Sequence, residues 1–129
     1  MAKTKVEIHE FDPVICPYRI WIVIDKTPDI IAEKFKEYNG DPVLFTDKDG
    51  NNRQLAFTMM VQHKEEKRYG TAMFFRSKKS MSYKLVAHES SHAAKQLFEH
   101  ISADIKEHEP FEYVIGWIAG CCEKVKKNN

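Results

Sequence analysis

The sequence has few cysteines, little net charge and no long apolar run, and each shortage excludes a class of protein. Its three cysteines, Cys16, Cys121 and Cys122, form a poor disulfide framework because the number is odd and two are adjacent, which predicts a reducing environment. A net charge of +1 gives no electrostatic reason to bind nucleic acid. No apolar run is as long as a membrane span, and the first residues lack an apolar signal region. We therefore expect a cytoplasmic protein without nucleic-acid or membrane partners.

The length and composition predict one globular domain. The chain has 129 residues, which is enough for one modest hydrophobic core and too few for two comfortable ones. Hydrophobic residues make up 43% of the sequence and charged residues 30%, and these proportions separate it from disordered chains. Because no internal repeat or low-complexity segment divides the sequence, residues 1–129 are expected to form a single domain.

The apolar pattern predicts an α+β fold. Residues 18–24 are β-branched and aromatic, which indicates a strand that is covered on both faces. Helical spacing follows over 27–40, from a Thr-Pro start to an Asn-Gly stop. Residues 54–63 alternate and, with 69–76, predict an antiparallel hairpin.

The remaining segments complete this outline. Residues 1–17 contain two prolines and predict an arm or a short edge segment. Residues 47–52 are acidic and contain glycine, but their ligand spacing differs from that of a calcium loop, so we expect a surface turn. Two helices are expected at the end of the chain, over residues 82–104 and 109–127.

The motif His-Glu-Ser-Ser-His, at residues 88–92, lies in the first of these two helices. His88 and His92 are four positions apart, so a helix places them on one face, where they can hold two adjacent corners of a tetrahedral Zn²⁺ site. Glu89 is rotated from His88 by about 100°, which lets its carboxylate take a proton from bound water instead of binding the metal. A solvated helix face is the alternative reading of the same pattern.

A third ligand is expected from the last helix, where Glu109 and Glu112 are the candidates. The histidines project away from the apolar stripe of their own helix, so they line either a cleft or open solvent. On the last helix, Glu109 lies on nearly the same line as Gly116 and Gly120, which would let another helix approach closely. We favour Glu109 as the ligand, with Glu112 as a supporting or surface carboxylate.

In residues 88–92 and 109–117 the chain resembles the gluzincin branch of the zincin metallopeptidases, and the small stand-alone members often encoded by phages and mobile elements in particular. The resemblance implies a minimal zincin-like core, with a small, mainly antiparallel sheet packed on an active-site helix and a C-terminal glutamate helix. It also implies that His88, His92 and Glu109 bind Zn²⁺ and that Glu89 is the general base. The expected substrate is a peptide or protein, added as an extra strand at residues 69–76.

Two other functions remain open. The chain can be an interaction protein that keeps a zincin scaffold without catalysis, or a zinc hydrolase that acts on a non-peptide bond. No residue stands out as the stabiliser of the oxyanion, and four side chains are considered, which are Tyr83, His100, His108 and Tyr113. Cys121 and Cys122 fall on or beside an apolar stripe, so we expect them to pack in the core.

Overall fold

The computed structural model describes residues 6–14, 17–26, 29–43, 55–102 and 108–127, with the backbone alone at residues 108 and 109. Within these ranges the protein has five strands, three α-helices and one short 3-10 turn at Lys78–Ser80. The predicted Thr27-Pro28 helix start and the predicted surface turn at residues 47–52 lie outside the described residues.

The strands form one sheet, in the order β1-β2-β5-β4-β3. Among the described strands only the β2–β5 pair is parallel, and the other three pairs are antiparallel, so the predicted mainly antiparallel sheet is confirmed. The predicted hairpin is confirmed as the β4–β5 pair, and the predicted N-terminal edge segment is β1. The strands are β1 (Glu7–Phe11), β2 (Arg19–Ile24), β3 (Phe35–Glu37), β4 (Ala56–His63) and β5 (Tyr69–Phe75).

The helices are α1 (Asp29–Lys34), α2 (Tyr83–His100) and α3 (His108–Lys127). Ser82 caps α2, because its hydroxyl accepts a hydrogen bond at 3.2 Å from the backbone N–H of Leu85. None of the helices in the described ranges is both long and apolar enough to cross a bilayer.

The predicted helix over residues 27–40 is wrong in its second half. The helix ends at Lys34, and Phe35 begins β3, where it pairs with His63 of β4. The Phe35 side chain is fully buried and its ring lies 4.9 Å from that of Trp21. Strand pairing and burial therefore override the local helical spacing, as tertiary contacts commonly do.

The sheet is covered on both faces, as the apolar sequence of β2 predicts. Ile20, Ile22 and Ile24 point into the larger core, which α2 and α3 close. Trp21 and Val23 point into a smaller core on the opposite face, which α1 and β3 close. The alternation of side chains along one strand thus divides the interior into two layers.

Gly70 is required where β2 and β5 approach each other. It pairs with Arg19, and a Cβ at this position would clash with the Arg19 carbonyl oxygen and the Trp21 ring. Because Gly70 has no side chain, the Trp21 ring can lie over this residue of β5, and β5 can pair closely with β2.

Candidate metal centre

His88 and His92 lie on an exposed flank of α2, and their imidazoles meet. Their Nε2 atoms are 3.2 Å apart, and their ring planes are inclined by 82°. Two nitrogens bonded at about 2.0–2.1 Å to one tetrahedral Zn²⁺ lie about 3.3–3.4 Å apart. The separation of 3.2 Å also suits a hydrogen bond in which one ring donates and the other accepts. The pair therefore fits two adjacent zinc ligands.

Glu89 points in a different direction from the two histidines. Its side chain is 5% exposed and lies against β4. The Thr58 hydroxyl oxygen is 2.6 Å from Glu89 Oε1 and 3.4 Å from the Glu89 backbone oxygen. A hydroxyl has one proton, so Thr58 donates it to the nearer carboxylate oxygen. The candidate base is thus buried and held by a side chain of the sheet.

A buried chain of hydrogen bonds continues from Thr58 into the core. The Gln96 side chain donates from Nε2 to the Thr58 carbonyl oxygen at 3.5 Å, and its Oε1 accepts from Thr71 at 2.9 Å. Because the Thr71 proton is used in that bond, the contact of 2.6 Å between Thr71 and Tyr18 requires Tyr18 to donate. Tyr18 and Thr71 are fully buried, so each polar group has a partner where water does not reach it.

Sequence reasoning did not single out Thr58 or Gln96. The alternation along β4 places Phe57 and Met59 on one face of the sheet, where they pack against the smaller core, and so places Thr58 on the face toward α2. Gln96 is seven positions after Glu89, and two helical turns return it to the same side of α2. The spacing therefore indicated the face on which each residue lies, but it did not indicate that Thr58 contacts Glu89 and Gln96.

α3 runs antiparallel to α2 and packs on a different flank from the histidines. The Phe111 and Phe98 rings are 5.2 Å apart, and Cys122 neighbours Ser90. At about 100° per residue, Ser90 points about 180° and Phe98 about 100° away from the mean direction of His88 and His92. The first turn of α3 therefore lies near the C-terminal end of α2.

The predicted packing of the Gly116–Gly120 line against the histidine face is wrong. A Cβ added at either glycine would meet nothing within 4 Å. Both glycines line a groove of about 480 Å³ between the start of α2 and the end of α3, together with Val86 and Ala87. The apolar stripe of α3 packs on the other side of α2, which leaves the glycines facing open space.

The third zinc ligand stays a prediction. In the described part of the chain, no three histidine, cysteine or acidic side chains lie close enough to hold one metal ion. Glu112 is exposed. Glu109 belongs to the first turn of α3, but its side chain lies outside the described residues. The structure thus brings together His88 and His92 and leaves the choice between the two glutamates to experiment.

Of the residues considered for the oxyanion, Tyr83, His100 and Tyr113 make no contact with the histidine pair in the described part of the chain. Tyr83 is 94% exposed, and its ring lies 5.7 Å from the ammonium of Lys126. His100 occupies the last position of α2, where Tyr38 makes a hydrogen bond of 2.6 Å to its Nδ1. Tyr113 is exposed on α3, and the side chain of His108 lies outside the described residues.

Cys121 and Cys122 lie in the larger core, as their position on the last helix predicts. Burial raises the pKa of the Cys121 thiol to about 11 and that of Cys122 to about 12. Both groups are therefore thiols at neutral pH, whereas metal binding and nucleophilic attack require the thiolate.

The predicted edge role of residues 69–76 is wrong, because β5 lies between β2 and β4. β3 pairs with β4 only at Val61–His63. No described strand pairs with the outer side of residues 56–60, so among the described strands this half of β4 is an open edge. The backbone N–H of His63 donates to Arg68 O on the β5 side, and that of Lys64 donates to Lys34 O on the β3 side. Because backbone groups alternate in direction along a strand, the odd-numbered residues of β4 face β5 and the even-numbered residues face outward.

No family model, no curated protein and no solved structure matches the chain.

Proposed function

We propose that the protein is a zinc-dependent metallopeptidase in which His88 and His92 bind the metal and Glu89 is the general base. The separation of 3.2 Å between the two Nε2 atoms carries this proposal, because it suits two ligands of one tetrahedral ion. Glu109 is the proposed third ligand, which leaves one position for water, as in catalytic zinc sites. Bound Zn²⁺ supplies Lewis-acid chemistry, which activates water near neutral pH and polarises the substrate carbonyl.

The protein's own residues transfer the proton and leave the metal-binding side open to the substrate. Glu89 takes up the proton that the attacking water loses and returns it to the nitrogen of the leaving amine. The Glu89 carboxylate is almost fully buried against the sheet, where the Thr58 hydroxyl bonds to one of its oxygens. His88 and His92 are exposed, so the ligand side of the site is accessible to a polypeptide.

The open edge of β4 supports a peptide as the substrate. The backbone groups of Ala56, Thr58 and Met60 point outward from this edge, where an extended peptide can add as a strand. The Thr58 carbonyl oxygen accepts from Gln96 and has a second lone pair for such a strand. Thr58 also contacts Glu89, so a peptide bound at this edge would run next to the base. A zinc hydrolase acting on a non-peptide bond would use the same metal site without this edge.

A peptide-binding module without catalysis is the second candidate. It is favoured by the outer side of residues 56–60, with which no described strand pairs and which can bind a peptide without a metal. Such a module would use the same open edge of β4 and bind an extended peptide without cleaving it. The two candidates differ in metal content and in turnover.

Metal content and turnover of the purified protein test the proposal. We expect one zinc ion per chain and cleavage of peptides from a mixed library, detected by mass spectrometry. Glu89→Gln should keep zinc and lose hydrolysis, whereas His88→Ala and His92→Ala should each lose both. His9→Ala is the matched control, because His9 lies on β1 and contacts Glu7. A metal-free wild type, or a Glu89→Gln variant with undiminished hydrolysis, would contradict the proposal.

A further inference from the structure

Thr58 connects the open edge of β4 to the buried carboxylate of Glu89. Its backbone belongs to the outward-facing, even-numbered set of β4, and its side chain lies on the face of the sheet that packs on α2. The contact of 2.6 Å to Glu89 Oε1 is in the short range of hydrogen bonds from a hydroxyl to a carboxylate. Thr58 is thus part of the proposed peptide-binding edge and also contacts the proposed base.

The surrounding hydrogen bonds allow only one assignment of donors and acceptors. The Thr58 carbonyl oxygen can only accept, so the Gln96 amide must present Nε2 to it and Oε1 to Thr71. Thr71 then donates to Gln96 and accepts from Tyr18. The Thr58 hydroxyl takes no part in satisfying these groups, so its single proton is available to Glu89.

The two oxygens of Glu89 are therefore not equivalent. Oε1 accepts the Thr58 hydrogen bond. Oε2 makes no hydrogen bond to any group in the part of the chain that the structure describes. A carboxylate fixed at one oxygen has a defined orientation at the other, which is what proton transfer at a set distance requires.

We propose that Thr58 is a positioning residue that fixes Oε1 of Glu89, so that Oε2 is the oxygen that takes up the proton of water; this rests on the hydrolase function proposed above. In the step, an O–H bond of water breaks, its oxygen bonds to the carbonyl carbon of the peptide, and its proton forms an O–H bond at Oε2. The C–N bond then breaks as the proton moves from Oε2 to the nitrogen of the leaving amine, and the carboxylate is restored. The Thr58 proton stays on Oγ1 throughout. No other reactant is needed.

Paired substitutions at Thr58 test this role. Thr58→Val keeps the shape and removes the hydroxyl, whereas Thr58→Ser keeps the hydroxyl. In the zinc-loaded protein we expect Thr58→Val to lower kcat by about 10- to 100-fold, because a displaced catalytic group loses rate on that scale. KM should change less than kcat, and Thr58→Ser should recover most of the rate. Zinc content and the thermal midpoint are measured for each variant, so that misfolding or metal loss is recognised.

Wild-type kcat in Thr58→Val, or an equal loss in Thr58→Ser, would overturn the positioning role. A second readout does not need activity. The ¹³C signal of the Glu89 carboxyl group, assigned with Glu89→Gln, should move in Thr58→Val and stay near its wild-type position in Thr58→Ser. An unmoved signal in Thr58→Val overturns the hydrogen bond. A wild type that hydrolyses no peptide overturns the proposed function and the role of Thr58 with it, even where that signal moves.

Discussion

Thr58 and Glu89 are 31 positions apart in the sequence, and their side-chain oxygens are 2.6 Å apart in the fold. β4 and α2 contribute one residue each to this contact. The neighbouring hydrogen bonds of Gln96 also join α2 to β4 and β5. The position of the candidate base therefore depends on the sheet as much as on its own helix.

The buried hydrogen bonds between Tyr18, Thr71 and Gln96 should behave as one unit. Thr71→Val removes the hydroxyl that bonds to the Tyr18 hydroxyl and to the Gln96 side-chain oxygen, so we expect a loss of about 1–3 kcal/mol in the free energy of unfolding. The double variant with Tyr18→Phe should lose less than the sum of the two single losses, since both remove the same contact. Urea unfolding measures all three. Strict additivity would show that the two hydroxyls do not interact.

Two kinds of glycine should respond to alanine with opposite signs. Gly70→Ala places a methyl group against the Arg19 carbonyl oxygen and the Trp21 ring, so unfolding should become easier by about 1–3 kcal/mol or more. Gly116→Ala meets open space on a helix and should stabilise by about 0.5–1 kcal/mol. Thermal unfolding compares the two. A destabilising Gly116→Ala would indicate that another element packs on this glycine after all.

The third zinc ligand can be identified by paired amide substitutions. Glu109→Gln should weaken zinc binding by about 10-fold or more, because a zinc site needs a charged carboxylate oxygen as ligand. Glu112→Gln should leave the affinity within about twofold of the wild type, since Glu112 is exposed on α3. Calorimetric titration with zinc provides the comparison. The reverse order would assign the ligand to Glu112.

Glu7 should make part of the stability dependent on pH. Burial alone would raise the pKa of its carboxyl group, but hydrogen bonds from His9 and Lys78 outweigh burial and lower the pKa below its ordinary value. A lowered folded-state pKa stabilises the fold above the unfolded-state value of about 4.3, and this contribution is lost as the pH falls through the folded-state pKa.

Glu7→Gln removes this dependence. Between neutral pH and about pH 3, the difference in unfolding free energy between wild type and variant should shrink. Partly exposed ion pairs of this kind contribute about 1 kcal/mol or less, so the whole effect is small. Urea unfolding at several pH values measures it, with Glu65→Gln in the exposed β4–β5 turn as a control. A difference that stays constant with pH would contradict the assignment.

The apolar periodicity of the sequence correctly predicted those helices and strands whose buried side can be recognised from their own residues alone. The alternation of β4, the apolar run of β2 and the stripes of α2 and α3 each record which side is buried, and all four elements are present. The histidine pair was predicted for the same reason, since four positions on a helix fix a spacing without any partner.

The errors concern relations between elements. Phe35 has helical spacing, but its pairing with His63 makes it a strand residue. Residues 69–76 look like the second strand of a hairpin, and nothing local shows that β2 pairs with their other side. The line through Gly116 and Gly120 was assigned to a helix contact, although a small side chain fits a contact and open space equally well.

The parallel pairing of β2 with β5 has a kinetic consequence. Tyr18 and Thr71, which meet across this pair, are 53 positions apart in the sequence. The β4–β5 hairpin and the α2–α3 contact join neighbouring segments, whereas docking of β2 must close a long loop, which is the slower kind of step. Until β2 docks, the chain has its two histidines one turn apart, but Thr71 lacks the Tyr18 hydroxyl that completes the hydrogen bonds behind Glu89. The histidine pair and the surroundings of Glu89 are therefore expected to form at different times during folding.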